Sequence, residues 1–117
     1  MSLHSDRPYL ADMRDTARKV LVFTEGLDHE RFLANEEKQW VAIRGIEVVG
    51  EASTKVSPEF VRAHPHLPWS QMRGMRNILI HGYAEVDLEM VWNVLQDDLP
   101  GLIDQLEQVL AAGRPDA

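Results

Sequence analysis

The chain has 117 residues, 44% hydrophobic and 26% charged, with no cysteine and a formal net charge of −7. That is the length of one ordinary globular domain with enough apolar content for a core, and it excludes disulfides, thiolate metal sites and cysteine nucleophiles. No apolar run approaches the roughly 18 residues of a membrane span, residues 1–9 lack the apolar stretch of a secretory signal, and the acidity argues against DNA or any long nucleic-acid footprint.

A first helix is expected from Asp6, a capping residue type, with Pro8 in its first turn where a missing N–H matters little. Leu10, Met13, Ala17, Val20 and Leu21 then recur at helical spacing, and Gly26 is the expected stop. Val20 to Phe23 could also be a short strand, but no partner strand is evident. Residues 28–34 read as a loop or a single turn. Asn35 caps a longer helix that opens with Glu36 and Glu37, acids suited to its N-terminal dipole. That helix carries two apolar stripes, one through Val41, Gly45, Val48/Val49, Ala52 and Val56, the other through Trp40, Ile43, Ile46 and Gly50. Two apolar sides imply a central place in a bundle or a subunit contact. Gly45 and Gly50 weaken the helix by about 1 kcal/mol each, so close approach of a neighbouring backbone is expected there.

Pro58, Pro65 and Pro68 interrupt the chain, leaving room for one turn over Glu59 to Ala63. A third helix is expected from Trp69 or Ser70 through Met72, Met75, Ile78 and Leu79 to a stop at Gly82. The fourth starts near Asp87 and has a seam of Leu88, Trp92, Leu95, Leu99, Leu102, Leu106 and Val109, alternating steps of four and three. Pro100 sits in that seam. It should kink the helix, or split it with Asp98 as a new cap; the unbroken register favours the kink. No period-2 run is long enough for a sheet. The expectation is one helical domain over 1–117, an all-α antiparallel bundle of four to five helices, with a core over 8–111 and fraying at 1–6 and 113–117.

Charge is unevenly spread. Residues 57–83 hold Arg62, Arg73 and Arg76 with His64, His66 and His81 against a single acid, Glu59, whereas residues 84–117 hold eight acids against Arg114. In the basic island Arg76, Asn77, His81 and Tyr83 surround the apolar triplet Ile78-Leu79-Ile80. A guanidinium, an imidazole and a phenol beside a buried anchor must be satisfied or face a site. On one continuous helix Arg76 and His81 would point roughly 140° apart. They converge only if the helix ends near His81 or if two copies of the segment meet across a two-fold axis. A helix C-terminus would favour the protonated form of His81, suiting a general acid or a phosphate contact.

The pattern Arg76-Asn77-x-x-x-His81-x-Tyr83 resembles the signature of the HEPN superfamily, and more narrowly the HepT-like proteins of bacterial toxin–antitoxin pairs. Gly50-Glu51-Ala52, Pro68-Trp69, Gly74-Met75, Val86-Asp87, Val91-Trp92 and Asp98-Leu99-Pro100 extend the likeness over about residues 8–111. The resemblance implies a dimerising helical bundle, cytoplasmic and free of metal and cofactor, that cleaves RNA in an Arg/His cleft at the dimer interface. Arg76 would hold the scissile phosphate, and His81 would act as base on the ribose 2′-OH or as acid to the leaving 5′-oxygen, the second His81 of the dimer taking the other part. Asn77 would orient one of them. The implied partner is a small nucleotidyltransferase antitoxin that adenylylates Tyr83, blocking the cleft by bulk and charge. A non-catalytic helical subunit that binds a nucleotide or the transferase is the alternative.

Other residues admit plainer roles. Arg73, one turn before Arg76, would add to phosphate binding or stand in solvent; Glu51 would pair with Arg76 or Arg44 or stay exposed; Arg76 itself could pair with an acid of the fourth helix. No metal is expected at His64 and His66, which lack cysteine or acids nearby. His4 and His29 read as surface residues. Trp40, Trp69 and Trp92 read as core or interface anchors.

Overall fold

In the computed structural model the described residues are 3–77 and 86–112, with side chains from Ser5 onward. The expected stop at Gly82, His81, Tyr83 and the terminal fraying at 113–117 lie outside them.

The chain is helical throughout these residues: α1 (Leu3–Phe23), α2 (His29–Leu33), α3 (Glu36–Ser53), α4 (Pro58–Ala63), α5 (Trp69–Met75), α6 (Leu88–Asn93) and α7 (Leu99–Ala112), with a π-helical turn over Val94–Asp98 joining the last two. No strand occurs among the described residues, so Val20 to Phe23 follows the 3.6 period into α1. The all-α bundle is the architecture expected.

Caps account for most of the starts. Asp28 accepts from the Arg31 N–H at 2.8 Å, Asn35 from the Lys38 N–H at 3.0 Å, and Asp87 from those of Glu89 and Met90. At the end of α1 the Thr24 hydroxyl donates to the Val20 carbonyl, and Gly26 turns the chain with φ +82°, a conformation that glycine adopts freely.

Asp6 is a correction. The helix starts earlier, at Leu3, and Asp6 is buried inside it, 1% exposed. Its carboxylate accepts from the backbone N–H of Ser57 at 2.9 Å and from the Ser57 hydroxyl at 2.7 Å. That same hydroxyl oxygen accepts from the Phe60 N–H and caps α4. Asp6 thus has a partner 51 residues away, which local capping rules cannot see.

Pro100 is a second correction. It neither splits the helix nor makes Asp98 a cap. Asn93 and Leu99, at either end of the π-helical turn, both keep right-handed helical backbone, and the rod continues into α7. The wider turn precedes the residue that lacks an N–H and whose ring would crowd the preceding carbonyls.

One connected core joins Leu10, Met13 and Ala17 of α1 to Ile46 and Val49 of α3, to Met72 and Met75 of α5, and to Leu95, Leu99, Leu102 and Leu106 of the α6–α7 rod. α3 is central, contacting α1, α5, α2 and α6. It runs antiparallel to α1: Gly45 faces Val20 and Thr16, while Asp6 reaches Ser57 beyond the far end of α3. Ile43, Ile46 and Gly50 are buried, Val41 and Val48 half-buried, and Trp40 is exposed. One of the two expected stripes therefore lies inward and the other borders an open face.

Candidate functional site

Arg76 stands just past α5, not within a longer helix. α5 ends at Met75, and the Arg76 N–H donates back to Arg73 and Gly74 carbonyls in a tightened last turn. Gly74 lowers helix propensity at this point. The 140° divergence computed for a continuous helix therefore does not govern where Arg76 points.

What fixes Arg76 is α3. A Cβ built on Gly50 would collide with the Arg76 backbone nitrogen, and would lie 2.9 Å from the Met72 carbonyl oxygen and the Met75 carbonyl carbon. Two backbones meet at Gly50 because there is no side chain between them. The close approach expected from the sequence is observed, and it seats the start of the motif on the middle of α3.

The Arg76 side chain lines a hollow of about 490 Å³ between α1 and α3, with Tyr9, Asp12, Arg44, Glu51 and Lys55 among its walls. Arg44 is held by Glu47 on its own helix at 2.8 Å. The side chains of Arg76, Lys55, Asp12 and Glu51 make no hydrogen bond or ion pair among the described residues. Arg76 is therefore not paired with an acid of the last helix there, the plainest alternative to a site role. An exposed guanidinium seated on rigid backbone can take a phosphate in bidentate fashion.

Glu51 shares the hollow with Arg76 but is exposed and bonded to neither Arg76 nor Arg44. Arg73 is exposed on the last turn of α5 and does not line the hollow. Asn77 is exposed, its N–H donating to the Gly74 carbonyl at 3.1 Å. His81 and Tyr83 lie outside the described residues. Lys55 and Tyr9 were not singled out from the sequence: they lie far from Arg76 along the chain, and only the antiparallel packing of α1 on α3 brings them to it.

Two histidines hold structural positions. His29 Nε2 lies 2.8 Å from both Glu89 carboxylate oxygens and its ring tilts against Trp92, linking α2 to α6. His64 stacks on Phe60 at 3.9 Å between ring centroids, and its carbonyl accepts from the Trp69 indole. A separate apolar hollow lined by Ile46, Gly74, Met90 and Val94 contains Asp98. Burial raises that carboxyl above its ordinary value, Gln71 opposes the rise by a hydrogen bond, and the Asp97 charge adds to it.

Comparison with known proteins gives one consistent answer. The family model described as "Ribonuclease HepT-like" matches residues 13–109. The protein named "Probable ribonuclease HepT" from Thermococcus cleftensis is 35% identical over 105 residues, 90% of this chain and 96% of its own. A Methanocaldococcus jannaschii protein carrying a provisional RNase name is 34% identical over 109 residues, 93% of this chain and the whole of its own. No solved structure gives a significant match.

Proposed function

Because the chain belongs to the HepT-like ribonuclease family, we propose that it is the RNA-cleaving toxin of a toxin–antitoxin pair, a cytoplasmic homodimer with an Arg76/His81 cleft at the subunit interface. The observation that carries this is the unpaired Arg76 guanidinium, seated by Gly50 in a hollow between two long helices.

The chemistry requires a cation, a base and an acid, and no metal. The ribose 2′-oxygen attacks the adjacent phosphorus while His81 removes its proton. The P–O5′ bond breaks, and the 5′-oxygen takes a proton from an acid, the partner's His81 in a dimer. Arg76 stabilises the charge that grows on the non-bridging oxygens. The product is a 2′,3′-cyclic phosphate, hydrolysed to a 3′-phosphate. Asn77 orients a histidine, and Arg73 and Glu51 border the cleft. A nucleotidyltransferase antitoxin silences the enzyme by adenylylating Tyr83, which places a bulky anion two residues from His81.

The second reading, a non-catalytic subunit that binds a nucleotide or the transferase, is favoured by the net charge of −7 and by Asp12 and Glu51 standing beside Arg76. Cleavage of total RNA in EDTA separates the two. The enzyme reading expects cleavage that falls about 10²–10³-fold in Arg76→Ala, the scale of losing one charge-stabilising donor, and at least as far in His81→Ala, with folding intact by circular dichroism. Intact RNA after incubation with wild-type protein that binds ATP or the transferase would establish the binding subunit.

A further inference from the structure

The outer side of α1 carries an inverted pattern. Tyr9, Asp12, Thr16, Lys19 and Phe23 are spaced by three, four, three and four residues and share one side of the helix. Moving away from Thr16 in either direction one meets a charge and then an aromatic ring. The charge is acidic one way and basic the other. α3, antiparallel beside it, repeats the inversion about Val48, with Glu51 on the Asp12 side and Arg44 on the Lys19 side.

These residues line two contiguous hollows of about 490 Å³ each that share Thr16, Arg44 and Val48. Along the seam lies exposed apolar surface: Phe23 is 52% exposed, Trp40 42% and Tyr9 38%. Asp12, Lys19 and Glu51 have no hydrogen bond or ion pair among the described residues, and Arg44 bonds Glu47 of its own helix. A two-fold axis across such a strip sets each residue against its mirrored position. An apolar strip with acids at one end and bases at the other is thus complementary to itself.

We propose that a second copy of this chain docks on this face with its α1 antiparallel to α1, about an axis at Thr16 and Val48. Asp12 then meets the partner's Lys19, Glu51 meets the partner's Arg44, and Tyr9 packs on the partner's Phe23. A copy docked the other way, about an axis along the helices, would set Lys19 against the partner's Arg44, a like-charge contact.

The assignment rests on the dimer proposed above and names its surface. It also bears on Arg76. Arg76 and Lys55 line the Tyr9 end of the face, so docking engages Asp12 and Glu51 with the partner's cations and leaves Arg76 and Lys55 as a cationic rim. Each dimer carries two such rims, about 20 Å apart from the fourteen-residue span of Tyr9 to Phe23 at 1.5 Å per residue. An acidic chain thereby offers RNA a positive edge.

The test is the association constant of the full chain by sedimentation equilibrium, for wild type, Asp12→Lys, Lys19→Asp and the double swap. Each reversal acts at two symmetric places, so each single variant is expected to weaken the dimer by about tenfold or more, and the double swap to restore it. Thr16→Cys is expected to form an inter-subunit disulfide on mild oxidation, since the axis brings the two copies within bridging distance. Both charged residues are exposed, so folding should survive; should a reversal fail to fold, Asp12→Asn and Lys19→Gln give the same order with smaller effects. A wild-type dimer indifferent to the reversals, or one whose Asp12→Lys defect is repaired by Lys55→Asp and not by Lys19→Asp, overturns the surface and leaves the dimer standing. A monomeric wild type overturns both. None of these measurements depends on RNA cleavage, so loss of the nuclease reading would leave the result intact.

Discussion

Two glycines on α3 mark two kinds of helix junction. At Gly45 an added Cβ would run into the Val20 side chain of α1; at Gly50 it would run into the backbone of α5 at Met72, Met75 and Arg76. A valine side chain can shift or change rotamer, but a backbone moves only with its helix. The α1–α3 junction is therefore adaptable in detail, whereas the α3–α5 junction is fixed, and the fixed one holds the candidate site. Position at the site is set by what α3 lacks at Gly50 more than by any bond Arg76 makes.

The contrast can be broken by substitution. Gly50→Ala is expected to have the largest effect, destabilising the fold by about 3 kcal/mol or more, at or beyond the usual range for overpacking against unyielding neighbours, and reducing RNA cleavage beyond what the folded fraction explains. Urea unfolding and cleavage rate read the two separately. Asp6→Ala tests a third junction, α1 to α4. It strands the buried Ser57 N–H and hydroxyl and is expected to destabilise by about 1–3 kcal/mol in urea, with part of the loss regained in Asp6→Asn and no specific effect on cleavage. Gly45→Ala is expected to destabilise by only about 1 kcal/mol, with cleavage unchanged in the folded protein. If it proves worse than Gly50→Ala, the ranking of the two junctions is inverted.

The smallest effect is expected at Asp98. Its folded carboxyl titrates above the ordinary value of 3.8, so protonation favours the folded state. That contribution is complete below the unfolded value and is lost as pH rises through the folded one. Asp98→Asn should therefore be slightly more stable than wild type at neutral pH, and the difference should vanish on acidification past that window. Paired urea titrations across the acid range measure it. An advantage that grows in acid would contradict the burial argument.

Local signals made much of this legible. The 3.6 period gave α1 and α3, the seam from Leu88 to Val109 gave the α6–α7 rod, and Asn35 and Asp87 announced their helices because capping is a short-range affair. The turn over Glu59 to Ala63 is α4, opened one residue earlier by Pro58. Gly45 and Gly50 were readable as close approaches because a glycine in a helix interior needs a reason. What escaped was decided at a distance. Asp6 looks like a cap until Ser57 is placed beside it, His29 looks like a surface residue until Glu89 and Trp92 arrive, and Lys55 and Tyr9 have no sequence link to Arg76. α5 ends at Met75 because Gly74 and the α3 contact interrupt a pattern whose apolar spacing alone would have carried on. Of the expected site, Arg76 and Glu51 meet at one hollow and Arg73 does not.

The π-helical turn over Val94–Asp98 holds one residue more than a regular helix would need there. That surplus sets the azimuth of everything after it. A variant one residue shorter in this stretch would rotate α7 by about 100°, turning Leu102 and Leu106 out of the interior and Asp104 toward it. Insertions and deletions around Pro100 are therefore constrained in length by the facing of the terminal helix, however well the shortened turn itself could close.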